Sequence, residues 1–138
     1  MKELRLKYNY SLRVYFSDTD AGGIVYHARY LDFAEHARTE ALRIVFKGSQ
    51  SQLLSADCAF VVKSINISYE KPGYLDDLLT VETYLKEAKR FSAVFNQIVK
   101  RDDEVLATLE VKVAAISLEK KRPIMIPEEI IKALSIED

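Results

Sequence analysis

Cysteine occurs once in this chain, at Cys58. No disulfide can close within it, and a single thiol fits a reducing compartment. Glycine and proline are scarce, four and three residues in 138, and no low-complexity tract, internal repeat or interdomain linker is visible. Neither sign of charge dominates: 20 basic residues face 21 acidic ones, a formal charge of -1. That balance argues against a nucleic-acid binder working by neutralising many phosphates, although it leaves room for a local basic patch. Nowhere do about eighteen apolar residues follow one another, so no membrane span is expected. The opening Met1-Lys-Glu-Leu-Arg-Leu-Lys7 has no signal-peptide apolar run, which makes the cytoplasm the expected location. What is present is an ordinary globular composition, 49% apolar and 30% charged. The length suits one domain over 1–138 with one real core.

Hydrophobic periodicity supplies the architecture. Over 4–16, Leu4, Leu6, Tyr8, Tyr10, Leu12, Val14 and Phe16 alternate with polar residues, which predicts a half-buried strand. Ser17 to Gly23 breaks the alternation with loop residues. From about Val25 to Phe46 the period becomes helical, with Tyr30, Ala34, Ala37, Ala41 and Ile44 or Val45 on one face and Gly48 as a stop. Three small alanines on that face let the helix lie close to a sheet. Further strands are expected over roughly 58–70, from Leu79 to Leu85, from Phe91 to Val99 and from Val105 to Ala115. Polar connections at 71–77, 86–90 and 101–104 suit antiparallel neighbours. Ile126 to Leu134 reads as a short terminal helix with proline at its first position. The expectation is an α+β domain, one long helix against a five-stranded antiparallel sheet. Such a sheet covers only part of the helix and leaves strand edges open, so a homo-oligomer is expected.

The stretch between first strand and long helix carries the chemistry. Asp18 and Asp20 stand in the loop, and His27 lies near the helix start, where unpaired backbone N–H groups and partial positive charge favour an anion. Gly22 and Gly23 lack a Cβ, which lets a substrate approach the backbone. Capping and turn formation explain Asp18 well. His27 suits either a structural or a substrate-contacting role. Glu35 either faces the site or pairs with Arg38 or Arg29. No ligand spacing supports a metal held by Asp18, Asp20 and His27, and Cys58 reads as a small buried residue.

The run Asp18-Thr-Asp20-Ala-Gly-Gly-Ile-Val-Tyr-His27, followed by Tyr30 and Glu35-His-Ala-Arg38, resembles the active-site signature of hotdog-fold acyl-CoA thioesterases of the 4-hydroxybenzoyl-CoA type, and among them the Tol–Pal-associated, YbgC-type branch. Phe60-Val-Val, Leu75-Asp-Asp-Leu78 and Arg122-Pro-Ile-Met-Ile-Pro127 extend the resemblance over nearly the whole chain. It implies a hotdog fold, a sheet wrapped around a central helix. It also implies hydrolysis of an acyl-CoA thioester without metal or prosthetic group. By the motif, Asp20 is the catalytic carboxylate, nucleophile or general base, which outweighs capping for that residue. His27 stands where a backbone N–H polarises the thioester carbonyl. Lys89, Arg90 and Arg122 match basic positions that contact the CoA phosphates. The resemblance further implies sites built between subunits of a dimer or a dimer of dimers (a homotetramer). Ala21 replaces the proline that follows the catalytic Asp in the 4-hydroxybenzoyl enzymes, and His27 replaces an aromatic residue; both departures favour the YbgC-type branch. Two other functions share these features: a non-catalytic acyl-CoA or acyl-carrier sensor, and a hydratase or dehydratase on the same fold.

Overall fold

The computed structural model describes residues 3–4, 7–46, 50–133 and 135–136. The elements are β1 (Glu3–Leu4), β2 (Lys7–Arg13), α1 (Arg29–Phe46), α2 (Gln50–Ser55), β3 (Ala59–Tyr69), β4 (Leu78–Ala88), β5 (Ser92–Arg101), β6 (Glu104–Ser117), β7 (Arg122–Pro123), α3 (Glu128–Ala133) and β8 (Ser135–Ile136). The five long strands lie in the order β2-β4-β5-β6-β3, with every neighbouring pair antiparallel. β7 extends the far end of β6, and β1 pairs with β8 apart from the main sheet.

Helix α1 packs against β2, β4 and β5. Its buried face is Tyr30, Phe33, Ala34, Ala37 and Ala41, set against Leu79, Val81, Val99, Leu109 and Val111 of the strands. Ala34 and Ala37 are fully buried, so a larger side chain at either would overpack the contact at a cost of about 1–3 kcal/mol. A curled antiparallel sheet around one long helix is the hotdog arrangement expected from the sequence.

Several boundaries differ from expectation. The helix begins at Arg29 rather than Val25. Ile24 and Val25 instead make β-bridges with Tyr74 and Thr19, and the Val25 N–H bonds to the Gly73 carbonyl at 2.9 Å. The buried stripe stops at Ala41; Ile44 is 61% exposed. Phe16 leaves the alternating face, since it opens a 3-10 turn over Phe16–Asp18 and is 80% exposed. β4 runs on to Ala88, because a bulge between Leu85 and Glu87 resets its parity. The β4–β5 turn is therefore only the short run after Ala88, closed by the Lys89 N–H to Ser92 carbonyl bond. α2 has no counterpart in the sequence reading. Gly48, Val45's side chain and Leu134 lie outside what is described.

The candidate active site

Three segments meet at the start of α1. The first is the loop after β2, tied to the β3–β4 connection by Val14 N–H to Asp77 carbonyl and Asp76 N–H to Val14 carbonyl bonds of 2.9 and 3.0 Å. The second is the turn at 20–24, in which Asp20 N–H bonds to the Ile24 carbonyl and Gly23 N–H to the Asp20 carbonyl. Gly23 adopts φ +81°, a left-handed conformation that favours glycine. The third is the β3–β4 connection, where the Gly73 N–H donates to the Tyr30 phenol at 3.1 Å. A Cβ at Gly73 would meet Val25 Cγ2 at 3.1 Å and the Tyr30 oxygen at 3.3 Å, so glycine is needed where loop and helix close on each other. Burial raises the pKa of the Tyr30 phenol, against the opposing effect of that Gly73 bond.

The two loop carboxylates have different surroundings. Asp18 is half-buried and turned inward: its Oδ2 accepts the Tyr15 N–H at 2.9 Å, and its Oδ1 lies 3.8 Å from Arg29 Nε. Arg29 also bonds to the Ser17 carbonyl and to Asp32. Asp18 thus locks the loop to the first turn of α1. Asp20 is exposed, and its Oδ1 accepts the Gly22 N–H at 2.8 Å. Among the described residues nothing binds its Oδ2. One oxygen is oriented and the other is open, which suits a carboxylate that attacks a carbonyl or takes a proton from water.

His27 is exposed, two residues ahead of the first helical residue, with its ring 4.5 Å from that of Tyr26 and 6.4 Å from that of Tyr69. The Tyr69 hydroxyl donates to the His27 carbonyl at 2.9 Å, and its ring packs edge-on against Tyr30 at 5.5 Å. Among the described residues, no hydrogen bond engages the His27 N–H. Tyr69 was not singled out from the sequence. Its only signal there was its place at the end of an alternating strand, a place that says nothing about a contact with a loop 42 residues away.

Lys89, Arg90 and Arg122 share one end of the sheet. The Ile126 N–H bonds to the Arg90 carbonyl at 2.8 Å, and Arg122 pairs with Ser117 in β7. All three side chains are exposed, Lys89 lying 3.0 Å from Glu87. Asp20 belongs to the other end, where β4 begins beside Arg13. The 11 residues of β4 separate the two ends, a span of about 35 Å. One protomer therefore groups Asp20 with His27 and, separately, the three basic residues with one another.

On the concave face, reaching the end of the sheet that carries the basic residues, lies a cleft of about 310 Å³. Glu35 and Arg38 of α1, Phe60 and Val62 of β3, Phe95 of β5 and Ile126 are among its lining residues. Behind Arg38 stands a buried polar cluster. Gln97, with no exposed surface, donates from Nε2 to the Ala34 carbonyl at 2.8 Å and to Thr83 Oγ1 at 2.9 Å, and its Oε1 accepts from Arg38 Nη1 at 2.9 Å. Burial lowers the Arg38 pKa, and the Glu35 carboxylate acts in the opposite sense. Glu35 itself is exposed and accepts a 3.4 Å hydrogen bond from Thr39. Gln97 was absent from the sequence reading, although a polar residue on the inward parity of an apolar strand was a signal available there.

Residues 14–134 match the family model described as the thioesterase-like superfamily. The chain belongs to this superfamily. An acyl-CoA thioesterase YbgC of Haemophilus influenzae is 46% identical over 123 residues, covering 89% of this chain and 90% of that protein. An acyl-CoA thioester hydrolase YbgC of Escherichia coli O6:H1 is 40% identical, covering 90% and 92%. The crystal structure of a Bartonella henselae protein described as a probable thioesterase superposes with a TM-score of 0.84 at 33% identity, covering 88% of this chain and 99% of that one. Family membership and fold thus agree with what the loop motif implied. No helix among the described residues of this thioesterase-family chain is long and apolar enough to cross a membrane.

Proposed function

We propose that the protein is an acyl-CoA thioester hydrolase with Asp20 as its working carboxylate. The observation that carries this reading is the contrast within the loop: Asp18 is spent on structure, whereas Asp20, in the loop that leads into α1, is held by Gly22 at one oxygen and open at the other. In the general-base form, Asp20 takes a proton from water and the hydroxide adds to the thioester carbonyl. The oxyanion is held by the His27 N–H, the C–S bond breaks, and CoA departs as a thiolate that is protonated from solvent. In the nucleophilic form, Asp20 adds to the carbonyl directly, the thiolate leaves, and water opens the resulting anhydride. A thiolate leaves readily, so neither route needs a strong general acid. A well-placed oxyanion donor is worth on the order of 3 kcal/mol in comparable sites. With a single, buried cysteine, the protein suits the reducing cytoplasm.

The complete site joins two copies of the chain. Support comes from the edges of the sheet. β2 exposes Lys7, Asn9, Ser11 and Arg13, polar residues of the kind that discourage edge pairing. β3 instead exposes Val62, Ile65 and Tyr69 along an 11-residue edge strand that, among the described residues, pairs with β6 alone. A two-fold axis at Ser64, the midpoint of β3, would set Tyr69 of one copy opposite Ala59 of the other. Because Tyr69 is bonded to His27, that pairing carries Asp20 and His27 to the cleft beside Phe60, and to the Lys89, Arg90 and Arg122 end of the second copy.

Thiol release from a panel of acyl-CoAs tests the activity. Turnover abolished by Asp20→Asn supports it. Tight acyl-CoA binding with no turnover of any member overturns it in favour of the sensor.

A further inference from the structure

Resting on that thioesterase reading, we propose that Glu35 and Arg38 are the docking pair for the amide-bearing pantetheine arm of CoA, so that the cleft holds the arm and not the acyl chain. The two residues stand one helical turn apart on α1 and line the same cleft; side chains at that spacing begin about 5–6 Å apart. Arg38 offers only donors and Glu35, ionised, only acceptors. A trans secondary amide presents its C=O and N–H in opposite directions, so one amide set between the pair satisfies both. The rest of the lining, Leu42, Phe60, Val62, Phe95 and Val113 among it, is largely apolar and suits the methylene and methyl groups of the arm. A plain hydrocarbon chain set between the pair, however, would leave the partly desolvated Arg38 guanidinium without an acceptor. An acyl group ending in a carboxylate would suit Arg38 but would meet Glu35.

Arg38 is built for such a contact. Its guanidinium is fixed by Gln97, which is in turn fixed by Ala34 and Thr83. Among the described residues it has no carboxylate within ion-pair distance and no other hydrogen bond, so the other donors of a guanidinium that lines the cleft are uncommitted. The position of the cleft agrees. Ile126 lines it and bonds through its N–H to Arg90, at the basic end, while Phe60 and Val62 line it at the β3 edge, where the second copy's Asp20 is placed. In CoA, the segment between phosphates and thioester is the pantetheine arm.

Calorimetry on the purified protein tests this with CoA, with pantetheine and with the nucleotide half of CoA, which lacks the arm. Glu35→Ala and Arg38→Gln should each weaken CoA and pantetheine about tenfold, with no loss for the nucleotide half. In turnover, KM should rise by the same factor for short and long acyl-CoAs while kcat holds. Loss of the Gln97 contact gives Arg38→Gln a structural liability, but Glu35 is exposed and its variant carries the test alone; Arg38→Lys should recover part of the affinity. A KM change that grows with acyl length would assign the cleft to the acyl chain and overturn the proposal. So would an equal loss for the nucleotide half, or no loss at all. Wild-type protein that turns over no acyl-CoA would sink the thioesterase reading, and the CoA and pantetheine titrations would still decide this one.

Discussion

Asp18 and Asp20 are two residues apart and have different partners, and the proposed division of labour follows from that difference. Replacing Asp18 by Asn keeps a hydrogen-bond acceptor for the Tyr15 N–H but drops the charge facing Arg29. The expected cost is stability, about 1 kcal/mol, read as a lower thermal midpoint with kcat close to wild type. Asp20→Asn keeps the Gly22 contact and removes both the base and the nucleophile. Its kcat should fall by about 10²–10⁴-fold while the melting temperature and CoA affinity hold; the opposite pattern would exchange the two roles. Tyr69 acts one step further out. Its hydroxyl fixes the His27 carbonyl and so the backbone that presents the His27 N–H. Tyr69→Phe keeps the ring packing on Tyr30 and frees that backbone. On the oxyanion role proposed for the His27 N–H, the expected result is a kcat about tenfold lower with KM little changed, because such a donor acts chiefly in the transition state. A KM rise at constant kcat would make Tyr69 a binding residue instead.

At the scale of elements, the strands and the long helix were legible because their burial is periodic: β6 buries Ala107, Leu109, Val111, Val113 and Ala115, as its alternation required. What the periodicity did not show were features fixed by contacts distant in sequence. The helix start was misplaced by four residues because Ile24 and Val25 are held in bridges to Tyr74 and Thr19. The end of β4 was misplaced because one bulge inverts parity, and α2 was missed because six residues give too little period to read. The loop motif singled out Asp20 and His27, and the structure puts both in exposed positions ahead of α1. Arg38's anchoring by Gln97 was not legible in the sequence, since it joins residues 59 apart. Asp57 is a further long-range contact. Its carboxylate accepts from the Ser117 hydroxyl and from the Glu119 N–H, binding the α2–β3 junction to the turn after β6. The Ser117 bond, then the Glu119 one, holds its pKa below the ordinary 3.8. A depressed carboxylate adds stability above its unfolded pKa and loses it as pH falls through the folded one. Asp57 has φ 57°, which Asn adopts readily. Asp57→Asn should therefore fold, be less stable near neutrality, and lose less of its thermal midpoint than wild type on acidification from about pH 6 to pH 3. Parallel curves would mean that the linkage lies elsewhere.

At the scale of the whole molecule, a single protomer is an incomplete enzyme on this reading, because β4 holds Asp20 and the three basic residues at opposite ends. The proposed pairing through β3 would supply each site with Asp20 and His27 from one copy and with Lys89, Arg90 and Arg122 from the other. This division makes a prediction that a site within one chain cannot match. Take one variant bearing Asp20→Asn and a second in which Lys89, Arg90 and Arg122 are all replaced by Gln. Alone, the first is inactive, and the second is nearly so at substrate concentrations well below the wild-type KM. In their heterodimer one site combines Asp20 of the second variant with the basic residues of the first and is fully wild type; the other site carries both defects. Random co-assembly makes half of the dimers mixed, each with one good site of two, so roughly a quarter of wild-type activity should return. Sedimentation at micromolar concentration should show the dimer in every sample. Mixing the separately purified variants should restore activity only as fast as subunits exchange. Co-expressed variants that form mixed dimers yet stay as inactive as their parents would place the basic residues and Asp20 of each site on one chain, or the basic residues outside the site altogether.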